Sequence, residues 1–168
     1  YKSAGKFYTN NKEFRIVPST LAGILRLLRE YEIQDFAGKN VVVVGAGKLV
    51  GKPAINYFMR KEASASAFNI RSRTADKIST LKKADIIISG AGSPGLITGE
   101  MVKDGVIIID AGTAKDPTTG KLVGDVDFES VSLKASYITP VPGGVGPMTV
   151  AMIFYNLVTL VKQRLKMK

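Results

Sequence analysis

The glycine-rich run Gly45-Ala46-Gly47-Lys48-Leu49-Val50-Gly51 follows four consecutive valines, Val41 to Val44, and precedes a helical pattern that begins at Pro53. Glycines in a strand-to-helix turn let the backbone bend tightly and approach a pyrophosphate, whose charge is met by the amides of the helix N-terminus. The spacing G-x-G-x-x-x-G is one residue longer than the usual dinucleotide fingerprint, so the flanking strand and helix carry much of the inference. Further on, where an NAD-preferring site places an acidic residue on the ribose hydroxyls, the chain reads Arg71-Ser72-Arg73-Thr74. Two guanidinium groups and two hydroxyls suit a 2′-phosphate, because Arg forms bidentate, charge-assisted bonds to phosphate oxygens. The expected cofactor is therefore NADP, with NAD as the alternative. The plain structural alternatives are a ligand-free glycine turn and a solvated basic strand end, with Ser72 or Thr74 capping the next helix.

Two further segments have the composition of close-approach surfaces. Ser89-Gly90-Ala91-Gly92-Ser93-Pro94-Gly95 and Asp110-Ala111-Gly112-Thr113 each end an apolar run. Ligands of open α/β sheets sit outside the carboxyl ends of the strands, where Gly90, Ala91, Gly92 and Thr113 would flank a nicotinamide ribose. The span Thr139 to Thr149 adds Pro140, Pro142 and Pro147 to Gly143, Gly144 and Gly146, which fixes an unusual backbone, and Pro147 can occupy the first turn of a last helix.

The elements that must position these groups follow from hydrophobic periodicity. Leu21, Ile24, Leu25, Leu28 and Tyr31 recur at helical spacing, with Ser19 or Thr20 able to cap the start. Asn40–Val44, Ala84–Ser89 and Gly105–Asp110 are continuous apolar runs suited to strands buried on both faces, and Ala65–Ile70 is a shorter strand. Helices are expected over Pro53–Arg60, Ala75–Lys82 and Met148–Leu165, the last amphipathic, with a hairpin turn at Asp116–Gly120 and a short strand at Tyr137–Thr139. Alternation of strand and helix predicts an α/β fold, a Rossmann-like doubly wound parallel sheet with helices on both faces.

With 168 residues, 45% of them hydrophobic, the chain can bury one sizeable core. Residues 1–17 read as a polar leader, a remnant of an interdomain segment, and 18–168 as the nucleotide-binding domain. The absence of Cys and His removes disulfides, thiolate and imidazole metal ligands, and the usual general base, so no metal site is expected. No apolar run is read as approaching the roughly 20 residues of a membrane span, which makes the cytoplasm the default location. The net charge of +10 is scattered, with clusters at Lys82-Lys83 and from Lys162 to Lys168 that suit solvated helix ends; no nucleic-acid or membrane partner is expected.

Several motifs, in order, resemble the cofactor domain of methylenetetrahydrofolate dehydrogenase/methenyltetrahydrofolate cyclohydrolase. Pro140 to Thr149 matches that family's hallmark loop, Pro18-Ser19-Thr20-Leu21-Ala22-Gly23 resembles its opening segment, and Gly92 to Ile97 and Gly124-Asp125-Val126-Asp127-Phe128 also match. The resemblance covers about Pro18 to Leu165. It implies an oxidoreductase and hydrolase of one-carbon metabolism, acting on a tetrahydrofolate derivative with NADP, and a homodimer. It implies a cofactor side of the loop at Gly144, Gly146 and Thr149 and a substrate side at Pro140, Pro142, Gly143 and Gly144. It also identifies Ser72 with the family's phosphate-binding Ser. The family's Tyr-x-x-x-Lys, Gln and Asp-Val-Asp-Gly lie in a preceding domain, so no catalytic residue is assigned and the chain is expected to be truncated and inactive alone. The Tyr8 to Lys12 spelling of the first motif is read as chance. Two departures bear on the cofactor: Ala46 stands where the family has Arg, and Gly112-Thr113-Ala114 where it has Gly-Ile-Asn. The alternative is a short non-catalytic dinucleotide-binding module working with a partner.

Overall fold

The valine run forms β1 (Asn40–Val44), and its alternate side chains enter two different cores. Val41 and Val43 pack on one face with Leu21, Ile24, Ala54 and Phe58, while Val42 and Val44 pack on the other with Leu81, Val106 and Val131. This two-sided burial is why no polar residue interrupts the strand. The computed structural model describes residues 16–69 and 71–166.

The remaining elements are α1 (Ser19–Glu30), α2 (Gly51–Met59), β2 (Ser64–Phe68), α3 (Thr74–Leu81), β3 (Ile86–Ser89) and β4 (Ile107–Asp110). After them come β5 (Ala114–Lys115), β6 (Leu122–Val123), α4 (Phe128–Ser132), β7 (Tyr137–Ile138) and α5 (Val145–Lys166). Five strands form a parallel sheet in the order β2-β1-β3-β4-β7, and β5 pairs antiparallel with β6 around the expected turn at Asp116. The residues of α1, α2 and the start of α5 cover one face, and those of α3 and α4 the other, the doubly wound arrangement expected. Chain direction across the sheet reverses between β1 and β3. That switch point is where open α/β sheets leave a crevice outside the strand ends.

Several boundaries depart from the periodicity. The helix α2 starts at Gly51, two residues before Pro53, because that glycine is buried in the preceding turn. Pro147 sits in the first turn of α5, which therefore begins at Val145 rather than Met148. Strand β2 ends at Phe68; Ile70 lies outside the described residues. No side chain caps α1 or α3. Ser19 Oγ instead accepts a bond from Asn156 Nδ2 at 3.3 Å, and Ser72 Oγ accepts one from the Asn69 amide at 3.2 Å. Most of the polar leader, including Tyr8 to Lys12, also lies outside the described residues; Ile16 is buried and Val17 packs against the core.

The closing helix differs most from expectation. It crosses α1 closely, with Gly23 so near that a Cβ there would stand 3.1 Å from Met148. Its apolar residues are not confined to that seam: Val150, Ile153, Phe154, Leu157 and Val158 are all more than half exposed. By length and mean hydropathy, 1.4, Val145–Leu165 reaches the range of a membrane span, which the sequence reading did not anticipate. In this fold one side of it is packed against α1.

Candidate dinucleotide site

Parallel register brings the carboxyl ends of the central strands level, with Val44 beside Ser89 and Ser89 beside Asp110. The chain leaves the sheet in three consecutive turns along one edge. In the first, Gly45 has φ +100, and a Cβ on it would stand 2.5 Å from the Gly90 carbonyl oxygen, so the turns after β1 and β3 lie against each other. A Cβ on Gly51 would overlap the Gly45 carbonyl and Ala46 Cα, which closes the first turn on itself. At Gly47, by contrast, a Cβ would meet nothing within 4 Å. Lys48 and Leu49 are exposed beside it.

The turn after β3 is held from within. Asp125, fully buried, accepts the Ser89 hydroxyl at 2.6 Å, the Ala91 amide at 2.6 Å and the Ser93 amide at 2.7 Å. Gly90 donates its amide to the Val44 carbonyl. These donors face the protein, so toward the crevice this turn offers small surface rather than those amides. Asp110, 3% exposed at the end of β4, accepts the Gly112 amide at 2.8 Å and the Val126 amide at 2.9 Å. Burial, joined by the neighbouring Asp125 carboxylate, raises the Asp110 carboxyl to about 6 against the opposing pull of its backbone donors.

A cavity of about 420 Å³ opens between these turns and the proline-glycine loop. Leu49, Val50, Thr113, Pro140, Pro142, Gly143, Gly144, Gly146 and Thr149 all line it. Thr20 and Asp110, which the sequence had named without a site role, line it too, as does Leu122, which it had not named. Ala46 and Gly51 open instead on a separate hollow beside Lys52 and Asn56, while Arg71 and Arg73 are exposed at the end of β2. Gly90 touches the wall from behind: its Cβ would lie 3.2 Å from the Val50 side chain. Ala91 is half-buried and Gly92 exposed on the same turn. The structural weight of Asp125 was not read from its motif, although a glycine-aspartate pair at 124–125 complementary to the Asp110-x-Gly112 segment was a usable signal.

Residues 18–165 match the family described as tetrahydrofolate dehydrogenase/cyclohydrolase, NAD(P)-binding domain. The chain belongs to that family. Among similar proteins, the bifunctional protein FolD of Hydrogenobaculum is 48% identical over 98% of this chain and 57% of its own length. The Staphylococcus aureus protein of the same name is 44% identical, over 95% and 54%. Among solved structures, the Campylobacter jejuni FolD methylenetetrahydrofolate dehydrogenase/cyclohydrolase superposes with TM-score 0.87 at 42% identity, covering 96% of this chain and 55% of that one. The Trypanosoma brucei FolD, complexed with NADP cofactor and inhibitor, gives TM-score 0.89 at 37% identity over 98% and 57%. The chain thus spans about half the length of the relatives it matches, and the half it spans is the family's NAD(P)-binding domain.

Proposed function

We propose that these residues form the cofactor-binding half of an NADP-dependent methylenetetrahydrofolate dehydrogenase and methenyltetrahydrofolate cyclohydrolase of the cytoplasm. The observation that carries this reading is the convergence of Val50, Thr113 and the Pro140–Thr149 loop on one cavity outside the carboxyl ends of the strands. A dinucleotide fits what is there: the crown of the first turn is open at Gly47, and small residues line the strand ends. Bound nicotinamide would accept a hydride from the folate substrate. The Gly45–Gly51 turn receives the pyrophosphate, Arg71, Ser72 and Arg73 the 2′-phosphate, and Gly90, Ala91, Gly92 and Thr113 the nicotinamide ribose. Gly144, Gly146 and Thr149 lie on the cofactor side of the loop, and Pro140, Pro142 and Gly143 toward the folate.

The exposed apolar residues of α5 support a covered surface in the full-length protein, supplied by its other half, with a homodimer as the working assembly. Without that half, this segment binds dinucleotide and does not turn over folate, since orientation of the reacting groups contributes about 7–11 kcal/mol to such steps. Titration calorimetry tests the reading. NADP should bind more tightly than NAD, and replacing Arg71 and Arg73 with Ala should weaken NADP about tenfold or more while sparing NAD. Equal affinities would overturn the NADP preference, and binding of neither the whole reading. Folate turnover by the segment alone, lost on Lys12→Ala, would overturn its inactivity.

A further inference from the structure

The carboxylates of Asp110 and Asp125 do no work in the reading above, yet both are buried and neither faces a cation within hydrogen-bond reach among the described residues. A buried carboxylate is costly unless donors surround it, and here every hydrogen-bond partner of the two carboxylates among the described residues is a donor. The donors come from the turns that face the crevice. Asp125 gathers Ser89, Ala91 and Ser93 with its side chain, and its own carbonyl accepts the Ile97 amide at 3.1 Å. It therefore holds the β3 turn at four points along nine residues. Asp110 in turn holds the segment that carries Asp125, through the Val126 amide.

The two segments interlock by reciprocal glycines. A Cβ on Gly112 would overlap the Asp125 carboxylate, and one on Gly124 would overlap Asp110 Oδ2, so each acid lies directly on the other segment's glycine. Gly92, at φ +69, and Gly95, at φ +63, occupy a region of backbone space that glycine enters and leaves freely, so the long-range bonds from Asp125 restrict a permissive segment. We propose that Asp125, supported by Asp110, is a positioning residue that sets the β3 turn in the shape that receives the nicotinamide half of the dinucleotide. The inference rests on the cofactor reading above. It separates the two ends of the ligand, because the brace reaches the β3 and β4 turns and makes no hydrogen bond to the β2 end where the 2′-phosphate is expected.

The test is Asp125→Asn, which keeps the shape but replaces one acceptor oxygen with an amino group facing N–H donors. Calorimetry compares NADP with adenosine 2′,5′-bisphosphate, which carries only the adenine end. The variant should lose tenfold or more on NADP and stay within twofold on the bisphosphate; equal losses, or none, would overturn the proposal. Amide exchange without ligand should show faster exchange at Ala91 and Ser93, and unchanged protection there would overturn it even if the wild type bound neither nucleotide. That last result would separately sink the cofactor reading. Should Asp125→Asn not fold, Ser89→Ala removes one of the three bonds and should give a smaller loss confined to NADP, whereas a loss shared with the bisphosphate, or none at all, counts against the proposal.

Discussion

The turns after β1 and β3 are both glycine-rich, both leave carboxyl ends of neighbouring strands, and touch each other where Gly45 meets the Gly90 carbonyl. They are stabilised in opposite ways. The first closes on itself, Gly51 against the backbone of Gly45 and Ala46, and leaves its crown open at Gly47. The second is held by a side chain from 32 to 36 residues later in the chain, with its Ala91 and Ser93 amides turned inward. Similar composition therefore gives one turn free to meet a ligand with its backbone and one that offers a fixed, small surface. The difference lies in where the amides point.

Breaking the self-closed turn should have the largest effect. Gly51→Ala places a Cβ on backbone atoms that cannot move without opening the turn, and overlap of this kind costs about 1–3 kcal/mol or more. The expected outcome is a fall in NADP affinity of about 100-fold in calorimetry, with a lowered melting temperature. Full affinity in a folded variant would mean that the turn adapts and that its closure is not what the ligand needs. The Gly51→Val change is more severe on the same grounds, but Ala is the sharper probe because it adds only the atom in question.

The braced turn should respond to pH instead. The Asp110 carboxyl rises from an ordinary value of about 3.9 to about 6 in the native state, because burial and the adjacent Asp125 disfavour its charge. A second cavity, on the other side of Asp110, is lined by Asp116, Asp127 and Glu129, which add no positive charge. A native state that holds its proton more tightly than the unfolded chain gains stability as pH falls through 6 and loses it as pH rises. Between pH 7 and pH 5 the wild type should therefore gain about 1 kcal/mol relative to Asp110→Asn, which cannot titrate there. Urea melts of both proteins at the two pH values measure that gap. A constant gap would mean that the backbone donors outweigh burial at Asp110.

How much of this was legible in the sequence depended on whether the stabilising partner was local. Val41 to Val44 announced a doubly buried strand because each residue meets a core directly. The glycine turn was legible because the contact that closes it, Gly51 on Gly45 and Ala46, lies within seven residues. The exposed side of α5 was not, since apolar residues on all sides of a helix do not say which side the same chain will cover. Asp125 was also hidden: an acid in a loop looks like any solvated acid until folding brings Ser89, Ala91 and Ser93 around it. Of the residues proposed for the site, Leu49, Val50, Thr113 and the proline-glycine loop line one cavity, while Arg71 and Arg73 stand apart at the β2 end.

The smallest change in stability should come from Gly47→Ala, and it separates ligand approach from turn structure better than any larger substitution. A Cβ there meets nothing within 4 Å, and Gly47 is not among the residues with positive φ, so the native chain accommodates Ala without strain. Denaturation should shift by less than about 0.5 kcal/mol, in either direction, because replacing Gly also reduces the freedom of the unfolded chain. If a pyrophosphate comes close to the crown of this turn, that harmless methyl stands in its path, and NADP affinity should fall about tenfold or more while the melt stays put. The same substitution at Gly92 would not discriminate, since φ +69 there penalises Ala whether or not a ligand is near. Unchanged NADP affinity in Gly47→Ala would move the pyrophosphate off the first turn and remove the contrast between the two turns at its source.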